Sequence, residues 1–264
     1  MVAYMKVQVL ASVMNSSLEA VGKKMNIRSD AVIINQCDCY GYEEKELYGR
    51  RIRFFSYRER GVGRSRNEGI LKAEGDICLF SDEDIVYVDD YEKRIVDEFK
   101  KNQDADMLLF NIDIEEARRT YHITKRKRVR WYSCGRYGAV SFAVRRSQLL
   151  ASGVMFSLLF GGGAKYSNGE DSLFLKEFMA KGYRVFAVPV TIGRETEGNS
   201  TWFAGYDQKF FYDRGVLYHF LYGKAAFLMA LRFLLAHKEK MCRDVGVKQA
   251  LYWMRMGIKN RENK

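Results

Sequence analysis

The sequence predicts an α/β chain with a mixed, mainly parallel central sheet flanked by helices and followed by a helical C-terminal extension. Three observations point there. Ala31-Val32-Ile33-Ile34 and Ile77-Cys78-Leu79-Phe80 are apolar without alternation, as in strands buried on both faces of a parallel sheet. Helical segments separate the strand patterns, which starts a βαβ succession. From Gly205 onward the spacing is helical and the charge strongly basic.

Taken in order, Val7, Val9, Ala11 and Val13 alternate with Gln8, Leu10 and Ser12 to give a first strand. A short helix, Leu18 to Met25, leads to the second strand at Ala31–Ile34, and Ile52 to Ser56 gives a third. The turn Arg60-Gly61-Val62-Gly63 opens an amphipathic helix that leads to Ile77–Phe80. Asp89-Asp90, ahead of Tyr91, Ile95 and Phe99, reads as a helix cap. Ala105 to Ile112 is another strand. The basic stretch Arg118 to Tyr132, with Arg126, Arg128 and Arg130 in alternation, reads as a solvated edge strand protected by charge. Tyr137 to Val144 returns to an apolar pattern, and a helix covers Arg146 to Ala151. Glu170-Asp171 opens a helix with Leu175, Phe178 and Met179 on one face, ending near Gly182. Arg184 to Val188 is the last strand, leading to Pro189, the only proline.

Two units follow from this pattern: residues 1–204 as a catalytic domain and 205–264 as a basic, amphipathic helical extension. At 264 residues the chain can bury a substantial core. The extension carries twelve Lys and Arg against five Asp and Glu, about +7 of a net +11. That balance favours an anionic partner: a nucleotide, a nucleic acid or an anionic membrane surface. Leu217, Phe220, Leu221, Phe227, Leu228, Leu231 and Leu235 recur at helical spacing, but His219, Lys224 and Arg232 interrupt the run and disfavour a transmembrane helix. Helices packed on the core and a basic surface lying on a membrane both remain open. Five cysteines without paired C-x-x-C spacing exclude a zinc ribbon and suit a reducing cytoplasm. The N-terminus lacks the apolar core of a signal peptide.

The chemistry concentrates in two places. Asp82, Glu83 and Asp84 follow a buried strand directly, where open α/β sheets bind ligands. Hard carboxylates of this kind suit magnesium or manganese bridged to substrate phosphates. The second is Phe160-Gly161-Gly162-Gly163 through Gly169-Glu170-Asp171, a glycine-rich loop that can pass close to a ligand and ends in two acids. Those acids could equally be helix caps. The Gly-x-Gly at Gly61 lacks the third glycine of a dinucleotide fingerprint, and no P-loop Gly-Lys-Ser or Gly-Lys-Thr is present.

With these residues assembled, the chain resembles glycosyltransferase family 2, the inverting enzymes of Rossmann-like GT-A fold, and within it the bacterial enzymes of capsule, O-antigen and other surface polysaccharides. The resemblance spans roughly residues 6–213: Asn35-Gln36 at a strand end, Glu59-Arg60-Gly61 through Arg66-Asn67, the Asp-x-Asp of Asp82 and Asp84, and Gly169-Glu170-Asp171. It implies that Asn35, Gln36, Glu59, Arg66, Asn67 and Asp82 bind the nucleotide donor. It implies that Asp84, with Asp82 beside it, holds Mn2+ or Mg2+. Asp171 would be the general base, with Glu170 beside it, and Gly161, Gly162 and Trp202 would serve the acceptor sugar. The implied partners are a UDP-sugar and a saccharide acceptor, lipid-linked, at the inner face of the cytoplasmic membrane. One departure is that Thr191 to Thr201 contains no histidine to act as a further metal ligand. The alternatives are a basic nucleic-acid module, which the two acidic clusters argue against, and a catalytically inactive relative.

Overall fold

A computed structural model describes residues 5–114, 121–196 and 205–260. In chain order the first half runs β1 (Val7–Met14), α1 (Leu18–Lys24), β2 (Asp30–Gln36), β3 (Gly41–Leu47), β4 (Arg50–Tyr57), α2 (Val62–Leu71), β5 (Ile77–Asp82), β6 (Ile85–Tyr87) and α3 (Tyr91–Lys101). The second half runs β7 (Met107–Asp113), β8 (Lys127–Arg128), β9 (Phe142–Arg145), α4 (Arg146–Ser152), α5 (Glu170–Ala180), β10 (Val185–Glu195), α6 (Gln208–Tyr222), α7 (Ala226–Met241) and α8 (Gly246–Ile258).

Among the described residues the strands form one sheet in the order β3-β4-β2-β1-β5-β9-β7-β10-β6, with β8 pairing β10. Strands β4, β2, β1 and β5 are mutually parallel, and β9 runs antiparallel between β5 and β7. Because β7 and β10 are parallel to each other, the carboxyl ends of all the parallel strands meet along one edge. Register sets Ser12 opposite Asp82 and Met14 opposite Gln36, so the strand-end residues of β1, β2 and β5 share that edge.

The unbroken apolar run of β5 serves both faces of the sheet. Cys78 and Phe80 join the core that includes α5 and the C-terminal helices, whereas Ile77 and Leu79 join the core beneath α1 and α3. Burial pushes the Cys78 thiol up to about 12, as a reduced core thiol requires. All five cysteines are free.

Several elements differ from the sequence reading. Strand β3, GYEEKEL, was not expected, because its largely exposed residues show no apolar alternation. It exists because Tyr48 and Gly49, with φ of 53° and 71°, make the two-residue hairpin turn that suits the strand twist. Its charges then guard the sheet edge. The basic stretch after residue 120 contributes only β8, two residues long; Arg126 instead pairs with Asp104 and stacks on Phe186. Strand β10 continues past Pro189 through a bulge between Ala187 and Thr191, the setting in which a sheet tolerates proline. Asp90 makes no side-chain cap to α3 and pairs with Arg94 instead, while Asp89 accepts from Asn26.

The helices after residue 205 pack into the same core as α5. Helices α6 and α8 cross almost backbone to backbone: a Cβ on Gly215 would lie 2.1 Å from the Met254 carbonyl oxygen, and one on Gly257 would lie 2.1 Å from that of Tyr212. Residue 204, where the expected extension begins to take over, lies outside the described residues.

Candidate active site

The carboxyl edge of the sheet opens into a cavity of about 780 Å³, within the usual size of a ligand site. Its floor is Ser12, Val13 and Met14 of β1, Gln36 of β2 and Asp82 of β5, and Glu195 closes it at the end of β10. Asp84 stands in the tight turn between β5 and β6, and its carbonyl accepts hydrogen bonds from the Thr196 backbone N–H and hydroxyl. The start of α5 brings Glu170 and Asp171 to the opposite wall, and α6 adds Phe210, Arg214 and Leu217.

Arg66 joins the two acidic groups. It is 5% exposed, and one amino group lies 3.0 Å from each carboxylate oxygen of Asp82 while the other donates to Glu170 Oε1 at 2.8 Å. Desolvation opposes its charge, but Asp82, Glu170 and Asp171 outweigh that cost and keep it cationic. Its two amino groups are engaged by the carboxylates while its Nε has no hydrogen-bond partner, and the residue lines the cavity where the resemblance placed it on a diphosphate. It fixes the β5 end, at Asp82, against the α5 start, at Glu170.

Each acid takes a different part in consequence. Glu170 is buried, with Oε1 on Arg66 and Oε2 accepting from its own helix start at Gly169 N–H. Asp171 lines the cavity; its Oδ1 accepts from the Ser172 N–H and hydroxyl. Its carboxyl is pushed up to about 7, by burial first and then by the Glu170 charge, against Arg66 and Ser172. Asp84 is pushed up to about 6 by burial first, and then by Asp82 and Glu195.

Divalent metal was expected on Asp84 and Asp82, and the donor set separates them. Both Asp82 oxygens are engaged by Arg66, and Glu83 accepts from Met14 N–H and Ser16 hydroxyl. Among the described residues no three His, Cys, Asp or Glu side chains group closely enough to hold a metal ion. The Asp84 carboxylate, facing the cavity among like charges that disfavour its ionisation, fits a hard cation that takes its remaining ligands from substrate phosphates.

The other expected residues divide as follows. Gln36 lines the cavity and accepts from Gly61 N–H at 2.7 Å, which anchors the loop before α2. Asn35 is buried beneath it, accepting from Ser16 N–H and donating to Ser56. Asn67 is outside the cavity: it makes two hydrogen bonds to the Phe156 backbone and holds that segment against α2. Glu59 likewise pairs with Arg64 at the surface. Gly162 lines the cavity, while Gly161, at φ of 106°, is seated on Glu170; a Cβ there would come within 2.9 Å of the carboxylate. Trp202 lies outside the described residues.

The sequence reading missed Glu195, Arg136 and Arg214, all cavity residues. Arg214 had a signal: it lies four residues after Phe210 and three before Leu217, a cation on an apolar helical face. Arg136 and Glu195 carry no such mark, since only the fold carries their segments to the cavity.

Residues 37–156 match the family described as Glycosyl transferase family 2. No curated protein sequence matches the chain significantly. Among solved structures, residues 1–349 of S. aureus TarS in complex with UDP-GlcNAc superpose with a TM-score of 0.59 at 16% identity, over 91% of this chain and 74% of that one. The same TarS fragment with UDP gives a TM-score of 0.56 at 14% identity, over 91% and 74%. A longer TarS structure gives 0.57 at 15% identity, over 92% of this chain and 46% of that one.

Proposed function

Residues 37–156 match glycosyl transferase family 2, and we propose that the chain is a member that moves a sugar from a UDP-sugar to a hydroxyl of a saccharide acceptor, with inversion at the anomeric carbon. Its fold is the Rossmann-like GT-A architecture shared with TarS. The observation that carries the reading is the pair of acids facing one cavity, Asp84 at the strand ends and Asp171 at the start of α5. The UDP-GlcNAc and UDP complexes of TarS support the choice of donor.

In this reading the acceptor hydroxyl gives its proton to Asp171 as its oxygen bonds to the anomeric carbon. The bond from that carbon to the diphosphate oxygen breaks, and the electron pair leaves with the nucleoside diphosphate. One displacement from the opposite face inverts the centre without a covalent enzyme intermediate. A base poised near neutrality is matched to this work, and Ser172 keeps Oδ1 of Asp171 oriented. Arg66 is a positioning residue that holds Asp82 and Glu170 and keeps a positive charge behind both acids. Mn2+ or Mg2+ at Asp84 would supply charge neutralisation for the departing diphosphate.

We place the enzyme at the inner face of the cytoplasmic membrane. Within Gln208–Met241 an 18-residue window reaches a mean hydropathy of 1.3, apolar enough by composition to span. A turn at Gly223–Ala225 divides it into helices of 15 and 16 residues, each short of the roughly 20 a bilayer needs. Phe227, Leu228 and Leu235 are exposed on α7, and Tyr252 and Met256 on α8, interspersed with basic residues; this supports lying on a membrane.

The test is transfer from UDP-GlcNAc and other UDP-sugars by purified Asp171→Asn and Asp84→Ala proteins. Both are expected to lose at least a hundredfold in kcat while keeping the wild-type circular dichroism. Undiminished transfer by Asp171→Asn would remove the base assignment.

A further inference from the structure

Beside Asp171 the main cavity continues into a recess of about 180 Å³ between residues 132–136 and helices α6 and α7. The two share Arg136, Ser172 and Arg214, and Arg232 lines the far side of the recess. Among the described residues no carboxylate lines it. Other arginines of the chain, Arg50, Arg51, Arg53, Arg60, Arg64, Arg66 and Arg94 among them, sit in ion pairs. Among the described residues Arg136, Arg214 and Arg232 have no such partner.

Arg214 is the best fixed of the three. Its guanidinium lies over the rings of Phe210 and Phe233, at 5.1 and 4.9 Å. Its Nε is withdrawn from water with no hydrogen-bond acceptor. A buried, oriented guanidinium N–H that nothing in the protein satisfies is a donor awaiting an acceptor. Burial and the charges of Arg214 and Lys240 hold nearby His237 below its usual range, as expected of a positive recess.

We propose that the acceptor carries a phosphate group, and that Arg136, Arg214 and Arg232 bind it in this recess while the accepting hydroxyl faces Asp171. The inference rests on the transferase reading above and names the acceptor's chemistry. The planar guanidinium fork matches phosphate oxygens, and three unpaired copies around one small volume suit an anion of charge one or two. The donor's diphosphate belongs at the Asp84 end, across the cavity. A phosphate near Ser172 therefore belongs to the other substrate. That phosphate has two chemical sources, a lipid carrier's phosphoester or a soluble phosphorylated saccharide or polyol.

The test measures binding to the full chain with UDP and Mn2+ saturating, so that the donor site is closed to the probes. The probes are glycerol 3-phosphate against glycerol, and nanodiscs of phosphatidylcholine with or without polyprenyl monophosphate. Wild type is expected to prefer the phosphorylated member of at least one pair by tenfold or more. Arg214→Gln/Arg232→Gln should lose that preference, and Arg232→Gln, which lies outside the main cavity, should keep its UDP affinity. Arg232→Gln alone changes an exposed side chain and should lose part of it, which guards against a folding defect in the double variant. Preference in the nanodisc pair alone assigns the phosphate to a lipid carrier; preference in the glycerol pair assigns a soluble one. Equal binding of both members of both pairs by wild type, or variants that retain the preference, would overturn the proposal. Absence of UDP binding by wild type would instead overturn the donor reading.

Discussion

At Asp171, burial and the Glu170 carboxylate hold the proton on up to about 7, against Arg66 and the two Ser172 donors that favour the anion. In the unfolded chain the same group loses its proton near 3.9. Between those values the folded state binds more protons than the unfolded state, so this residue's contribution to stability declines as pH rises through that window. Two outcomes follow from one cause. The pH profile of kcat/KM should climb about tenfold per unit below about 7 and level off above it. Asp171→Asn, which removes the ionisation, should be at least as stable as wild type at pH 7.5 in urea denaturation while failing in transfer. A flat profile between pH 5.5 and 7 would contradict a base at this site. The sequence announced the Glu170-Asp171 pair, but it could not tell which acid would be free. Glu170 and Asp171 are neighbours in the chain with opposite fates, because only Glu170 reaches the Arg66 guanidinium.

Helix α6 is the element whose role changed most between sequence and structure. Its apolar spacing was legible, and so was its basic neighbourhood, yet both suited an appendage. In the structure it walls the cavity with Phe210, Arg214 and Leu217. Asp213 on it accepts from Ser167 N–H, which ties the glycine-rich loop down. Leu217 lies where a Cβ on Gly169 would come within 2.5 Å. Helix α6 is held in turn by α8 through the Gly215 and Gly257 crossing. Gly257→Val should therefore force α8 off α6, at a cost of about 1–3 kcal/mol from overpacking against backbone that has no free rotamer. A lowered urea midpoint with reduced transfer is the expected result. An unchanged midpoint would show that α8 is dispensable to the fold.

For the whole molecule, much of the excess positive charge and a set of exposed apolar residues, Phe227, Leu228, Leu235, Tyr252 and Met256, coincide on the C-terminal helices. Basic residues near an anionic surface add roughly 1 kcal/mol each, and salt weakens the effect. The chain should sediment with vesicles containing phosphatidylglycerol, less so at 0.5 M salt and much less as Leu228→Glu/Leu235→Glu. Equal sedimentation with purely zwitterionic vesicles would exclude an electrostatic surface role. The cavity itself lies on the opposite logic, with carboxylates at one end and unpaired arginines at the other, so net charge gave no view of it.

The sequence by itself determined the parallel core strands, the position of Asp82-Glu83-Asp84 at a strand end and the acidic start of α5. These depend on local pattern: apolar runs too short and too continuous for anything but buried strands, and polar groups where those runs stop. Only the tertiary structure decided which of the site residues face the cavity and which support it. Asn67 and Glu59 proved to be ties and surface pairs, Arg66 a bridge between acids, and Arg136 and Arg214 members of the cavity wall. A side chain's partner is set by distance across the fold, and the separation of 104 positions between Arg66 and Glu170 carries no trace of that distance.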